Sequence, residues 1–550
     1  MEISKANRVL AVALVLVVLI SLFSACGNAS QSAAQPPAGN ASDTPSSDES
    51  GNAPYSFVMY MNYDWYDISP VWGEDETSKL LKEKFNIDLI LSKPDTDPDT
   101  KMNLMLASDD LPDAMMLDRK NAYFSMAQNG QLVNLDGFID NGSNYQQLLA
   151  QNVRDSAKIN GSTYGILNWP TDATAPTGNK CVALNKSIYE SFGSPKLDTL
   201  DELYAYLQMV YNDAGMREKS VVPLQPDYWD DIGDIYSLYG GFLGLLSTTG
   251  LYENGDKLEV MYKDPKFLEA ALFTNKLYNE NLINQDFFLE KNEQILEKLA
   301  TGRAAVIFGN ISDRIRPSRL RLQEMEPDND YIIIEPPAAA GVNQKDIKMD
   351  LFHTIGWNVL VITNKAEKPE RIFELFDYMF SVEGTVEMYY GPQGNLWTEK
   401  DADGYPLVDM QRYSNLQEDE KKQIGLFIWS FPGNSIVADR MGAAGLARTP
   451  EEDRDPIEVQ QRAIVWPHSQ DFTEFSAIVN DITLNDPNSE YAIFKANYLD
   501  VYNKELIPKL ISSKTPEELE TLLNRAIDEV NAMGAEAYAN YCTELWANSK

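Results

Sequence analysis

The chain has 550 residues, 44% of them hydrophobic, and a formal net charge of −37. That length exceeds one ordinary hydrophobic core, so two or more lobes are expected. A surface so acidic repels phosphate backbones and anionic lipid, which excludes nucleic acid and peripheral membrane binding as natural partners. Beyond Cys26 the only cysteines are Cys181 and Cys542, and the only histidines are His353 and His468. These supply no disulfide scaffold, zinc motif or histidine-based triad, and leave open only a single Cys181–Cys542 bridge.

At the amino end, Lys5 and Arg8 precede an apolar run from Val9 to Phe23, closed by Ser24 and Ala25. This is the layout of a secretory signal peptide over 1–25. The run, at about 15 residues, is short of the roughly 20 that span a bilayer. Leu22-Phe23-Ser24-Ala25-Cys26 is similar to a bacterial lipobox, with Phe23 where leucine is usual. That likeness implies a lipid on Cys26 and a mature chain anchored outside the cytoplasm. A plain signal peptide or an uncleaved anchor is the alternative. Residues 26–54 are rich in Ser, Ala, Asn, Gly, Pro and acids and cannot bury enough surface to fold, so they read as a tether. Its reach as a coil is about 30 Å.

Order is expected from Tyr55. Tyr55 to Met61 reads as a strand, Glu74 to Phe85 as a helix and Ile87 to Leu91 as a strand. Asp99 to Ala107 then reads as a helix and Asp113 to Leu117 as a strand. That alternation predicts a parallel sheet covered by helices, with any ligand beyond the carboxyl ends of its strands. Asn62 to Trp65 and the residues near Leu117 would then lie close to the site. Thr199 with Glu202 is a capping box opening a helix, and Asp264-Pro265 opens another. Ala304 to Phe308, Tyr331 to Ile334 and Trp357 to Thr363 read as strands, and Pro369 to Val382 as a helix. Thr515 to Glu518 starts a last helix, whose Leu519, Leu522, Leu523, Ala526, Ile527 and Val530 make one apolar stripe. Asp401-Ala402-Asp403-Gly404 lacks the spacing of a calcium loop and reads as a turn between strands.

The run Met102 to Asp113, ending Ala-Ser-Asp-Asp-Leu-Pro-Asp, resembles a segment of bacterial extracellular solute-binding proteins of family 1. So do Gly130 to Leu135, Asn160 to Ile166, Leu184 to Ser187 and Pro195 to Leu203, in the same order. Gly356 to Leu360, Glu383-Gly384, Gly391 to Gly394 and the tail from Tyr502 to Trp546 fit the large lipoprotein branch of that family. Asp109 stands where glycine is frequent, and Gln393 where glutamate is. The resemblance implies an α/β, two-lobed, periplasmic-binding-protein-like fold of type II, with a cleft between lobes and a helical carboxyl-terminal part. It implies a first lobe of 55–165 plus 350–385 and a second of 166–349 plus 386–550, hinged near 165–168 and 354–357. It further implies a monomer that captures an oligosaccharide for an ABC permease, performs no chemistry, and needs no cofactor or metal.

Sugar recognition uses flat aromatic faces under the C–H face of each ring, with planar polar groups for the hydroxyls. The chain holds nine tryptophans. Those that follow strands or motifs are the candidates: Trp65, Trp169, Trp229, Trp357 and Trp397. Asn62, Asp64 and Asp113 complete the expected ligand-binding set. Tryptophan is also common core filler, which is the competing reading for each. Two other functions stay open: a peptide or metabolite binder of the same fold, and a surface-anchored glycoside hydrolase, since 83 acids always admit a carboxylate pair.

Overall fold

The computed structural model describes residues 53–549, apart from 70, 141, 173–177, 227–244, 247–248, 353, 403, 410–411, 414–415 and 472–474. The expected signal peptide, Cys26 and nearly all of the tether lie outside these residues, as does Trp229.

Nine strands build the two principal sheets: β1 (Tyr55–Met61), β2 (Ile87–Ser92), β3 (Ala114–Asp118), β4 (Ile166–Asn168), β5 (Lys180–Asn185), β6 (Val222–Pro226), β7 (Ala304–Asn310), β8 (Tyr331–Ile334) and β9 (Asn358–Ile362). The first sheet runs β2-β1-β3-β9-β4 and the second β8-β5-β7-β6. In the first, β1 is parallel to β2 and β3, as the alternation of elements predicts. One strand departs from the expected parallel sheet: β9 is antiparallel to both β3 and β4, which leaves β4 parallel to β3. The reason is connectivity. The chain leaves the first sheet at the end of β4, builds the second sheet, and re-enters through β9 from that same edge. The second sheet is mixed too, with β5 antiparallel to both β7 and β8 while β6 and β7 are parallel.

The helices obey their local signals. Asp75 caps α1 (Glu76–Phe85) by accepting from Ser78 N, and Asp97 caps α2 (Pro98–Ser108). Thr199 and Glu202 form the expected capping box at α3 (Leu200–Asn212). The long helix expected from Pro369 breaks at Ser381, whose side chain caps the next one, so α4 (Pro369–Phe380) is followed directly by α5 (Val382–Tyr390). Next come α6 (Ser435–Arg448) and α7 (Pro516–Met533), the latter capped by Thr515. The expected stripe of α7 supplies the buried Leu519, Leu523, Ala526 and Val530.

The first sheet carries its own hydrophobic cluster, drawn from residues between Tyr55 and Leu167 and between Ile355 and Met441. The stretch from Val386 to Met441 packs here, although the sequence reading placed 386 onward with the second lobe. Its large apolar residues, Trp397, Trp429 and Phe431 among them, find their surface against the first sheet's helices. The second sheet divides its residues between a larger cluster that includes the carboxyl-terminal helices and a smaller one around Ile307 and Val465. Cys181 and Cys542 are both buried, and no disulfide joins them.

Candidate ligand-binding site

The edge of the first sheet at which the chain crosses to the second is lined by polar residues in register. Asn358 at the start of β9 pairs with Asp118 at the end of β3 and with Asn168 at the end of β4. Beside them Asn62 directly follows β1, and its N–H bonds the Met116 carbonyl at 3.0 Å. Each of these four strands thus has an Asx residue at or next to its end on this edge. The ends of the two parallel strands, where open sheets present their crevice, therefore coincide with the crossing.

Over this edge stands a group of rings. Tyr63 is buried, and its ring centroid lies 5.1 Å from that of Trp65 and 5.4 Å from that of Trp357, with tilts of 40° and 58°. Trp65 also approaches Tyr66 at 5.9 Å. Both indoles face water, Trp65 at 61% and Trp357 at 45% relative exposure. Large exposed rings held side by side at a strand edge are the sort of surface that marks a binding site. The Tyr63 hydroxyl donates to Asp118 Oδ1 at 2.7 Å and accepts from Asn358 Nδ2 at 3.2 Å. Burial, followed by the Asp118 charge, pushes the Tyr63 phenol well above its ordinary range, so it stays a donor and keeps Asp118 oriented. Asp118 Oδ2 pairs with the exposed Lys120 at 3.0 Å. Lys93 Nζ donates to the carbonyls of Asp64 and Tyr66, each at 2.8 Å, which fixes the loop that carries Trp65. Asn62 Oδ1 and Asn358 Oδ1 are buried here with no hydrogen-bond donor.

Trp357 hangs from a tightly constrained backbone. Gly356 has φ 65°, and a Cβ there would stand 1.9 Å from the Asn168 carbonyl oxygen, so only glycine fits. Arg119, immediately after β3, donates through Nη2 to the Gly356 carbonyl and through Nη1 to Asn480 Oδ1, both at 3.2 Å.

The structure thus brings together Asn62, Asp64, Trp65 and Trp357 of the expected set. It separates the others. Asp113 precedes β3, at the opposite end of that strand, and its Oδ2 accepts from Val58 N at 2.8 Å; its role is to join β1 to β3. Trp397 is buried in the first cluster and donates its indole N–H to the Gly391 carbonyl at 2.9 Å, so it is core. Trp169, expected to begin the opposite lobe, packs on the first cluster instead, against Tyr389 and over Gly433, where any Cβ would meet its ring at 2.5 Å. Tyr63, Asp118 and Arg119 fall in the segments that the sequence reading placed near the site, though it did not single them out; Asn168 and Asn358 it did not place there. An Asx residue closing an apolar strand next to an aromatic was the signal that could have found them.

Two hollows are lined by none of these rings. One, of about 420 Å³, includes Asp113 and lies between α2 and the sheet. The other, of about 610 Å³, is a groove in which Glu290 pairs with Lys298 and Glu297 with Arg303. Its cations are occupied by its own acids. Asp401 Oδ2 pairs with Arg448, and its Oδ1 accepts from Tyr405 N, in a turn between strands Trp397–Lys400 and Pro406–Val408. Among the described residues no group of three or more His, Cys, Asp or Glu is placed to hold a metal.

The chain superposes on the ABC-transporter substrate-binding protein FusA of S. pneumoniae in complex with kestose, with a TM-score of 0.67 and 15% identity. The match covers 90% of this chain and 99% of that one. The fold is the two-lobed fold of solute-binding proteins. In sequence, the chain is 24% identical over 323 residues to lipoprotein LipO of Bacillus subtilis (strain 168), covering 56% of this chain and 61% of that protein. It is 23% identical over 246 residues to the polygalacturonan/rhamnogalacturonan-binding protein YtcQ of the same organism, covering 44% of this chain and 48% of that protein. The matched segments span less than two thirds of either relative. No family model matches the chain.

Proposed function

We propose that the chain is the extracytoplasmic binding component of an ABC importer, which captures an oligosaccharide between its two lobes and performs no chemistry on it. The observation that carries this is the pair of exposed indoles, Trp65 and Trp357, fixed on either side of Tyr63 above Asp118 and Asn358. Flat apolar faces beside planar polar groups suit a sugar ring, which has an apolar face and a polar rim. Binding that touches both lobes would favour the closed arrangement through differential affinity. In this reading the first lobe is 55–165 plus 350–385, enlarged by 386–441, and the rest forms the second.

The test is a thermal-shift screen of the purified mature chain against neutral and acidic oligosaccharides and short peptides. A ligand at 100 times its Kd should stabilise the fold by about 2.7 kcal/mol. The sugar should then be recovered intact after long incubation. Shortened products in proportion to protein would establish a glycosidase instead, and a response to peptides alone would establish the other binder.

The lipid anchor is part of the same proposal. It is supported by the sequence Leu22 to Cys26 and by the likeness to a lipoprotein. No helix among the described residues is long and apolar enough to cross a membrane. Fatty-acid analogue labelling should mark the wild type and spare Cys26→Ser; equal label on both would end the idea.

A further inference from the structure

We propose that Arg119 is the positioning residue of the ring wall, and that it couples Trp357 to the second hydrophobic cluster. The inference rests on the ligand-site reading above.

An exposed ring makes few contacts of its own. Among the described residues Trp357 has one ring neighbour, Tyr63, so its placement comes chiefly from its backbone. That backbone is pinned at Gly356 on two sides, by the Asn168 carbonyl at van der Waals limit and by the Arg119 guanidinium. The other arm of the guanidinium holds Asn480. Asn480 is the turn residue directly after a short helix, Ser476–Val479, and the nearby Phe475, Ile478 and Leu484 are members of the second cluster. Its Nδ2 donates in turn to the Ser156 carbonyl at 2.5 Å. A continuous path of direct contacts therefore runs from the second cluster through Asn480, Arg119 and Gly356 to Trp357.

The chemistry of Arg119 fits this role better than a packing role. It is 7% exposed, no carboxylate among the described residues pairs with it, and its Nε has no acceptor. Burial pulls its pKa down to about 10, which still leaves it charged at neutral pH. Burying a cation without a counter-ion is costly, and an apolar side chain would fill the space at less cost. What the guanidinium adds is two donors in one rigid plane, able to hold two acceptors at a fixed separation. Lysine offers the charge without the fork.

The test compares wild type with Asn480→Ala and Arg119→Lys, each also made with Trp357→Phe. The emission difference between the members of each pair is the signal of Trp357. It is expected to shift in both variants. Amide exchange over 354–358 should rise about tenfold as the local opening equilibrium shifts. The proposal is overturned if Asn480→Ala raises exchange only over 476–485 and leaves the Trp357 signal and 354–358 as in wild type. Should Arg119→Lys fail to fold, Asn480→Ala decides alone, since it leaves the guanidinium in place. Neither readout uses a sugar. A chain that binds no saccharide would therefore sink the functional proposal while this measurement still gave its own answer.

Discussion

Trp65→Ala should weaken saccharide binding by about tenfold to a hundredfold, the equivalent of about 1–3 kcal/mol of apolar contact and stacking. The unfolding midpoint without ligand should hardly move. Trp65 is mostly exposed, and its ring neighbours are Tyr63 and Tyr66, both of which keep other anchors: Tyr63 on Asp118 and Asn358, Tyr66 on the Ile428 carbonyl. Trp397→Ala is the matched control. Its ring is buried and its indole N–H is bonded to the Gly391 carbonyl, so its loss should lower stability and spare affinity in whatever fraction remains folded. Calorimetry with a saccharide that raises the midpoint, together with the midpoint itself, separates the two. Full affinity in Trp65→Ala would mean that the ligand is held elsewhere.

The largest loss of stability is expected at Trp429. This side chain is fully buried, meets Trp72 edge-on at 5.0 Å, and donates its Nε1–H to Asp75 Oδ2 at 2.9 Å. Truncation to alanine leaves a cavity and should cost about 3–5 kcal/mol. Asp75→Ala acts on the same assembly from the other side. It removes the cap of α1, worth about 0.5–2 kcal/mol. It also strands the buried indole N–H, at about 1–3 kcal/mol. Because the two residues touch, the double variant should cost less than the sum of the singles. Chemical denaturation should show the midpoint falling with little change in slope. A Trp429→Ala protein as stable as wild type would mean that the junction between α1 and the 424–431 loop can repack.

Local signals carried much of the fold. Thr199 and Thr515 each close a backbone N–H that a helix start leaves open, and such caps are legible one residue at a time; Asp75 and Ser381 cap in the same way, but the sequence reading ran helices through both positions. Apolar runs located β1, β2, β7 and β8 for the same reason. The reversal of β9 was not legible, because its apolar run looks alike whether it runs with or against β3; the crossing decides, and that is a long-range property. The site shows the same division. Trp65 and Trp357 could be named because each adjoins a strand end. Their difference from Trp169 and Trp397 could not, because what buries those two is Gly433 and Tyr389 in one case and the Gly391 carbonyl in the other, distant or unremarkable in sequence. Asp113 was chosen from a motif, and the motif lies at the beginning of β3 where the ligand edge is at its end.

The alternation of the chain between its hydrophobic clusters has a mechanical consequence. The polypeptide begins in the first cluster at Tyr55, passes to the second sheet by Cys181, returns by Ile355, and leaves again between Met441 and Ile457 to finish at Trp546. An odd number of passages puts the two ends of the described chain on different bodies. A lipid at the amino end would therefore moor the body that carries the indoles. Closure, in the frame of the tethered body, would be the swing of the carboxyl-terminal body toward the aromatic wall, so the distance between a fluorophore near residue 549 and one near residue 55 would report the motion.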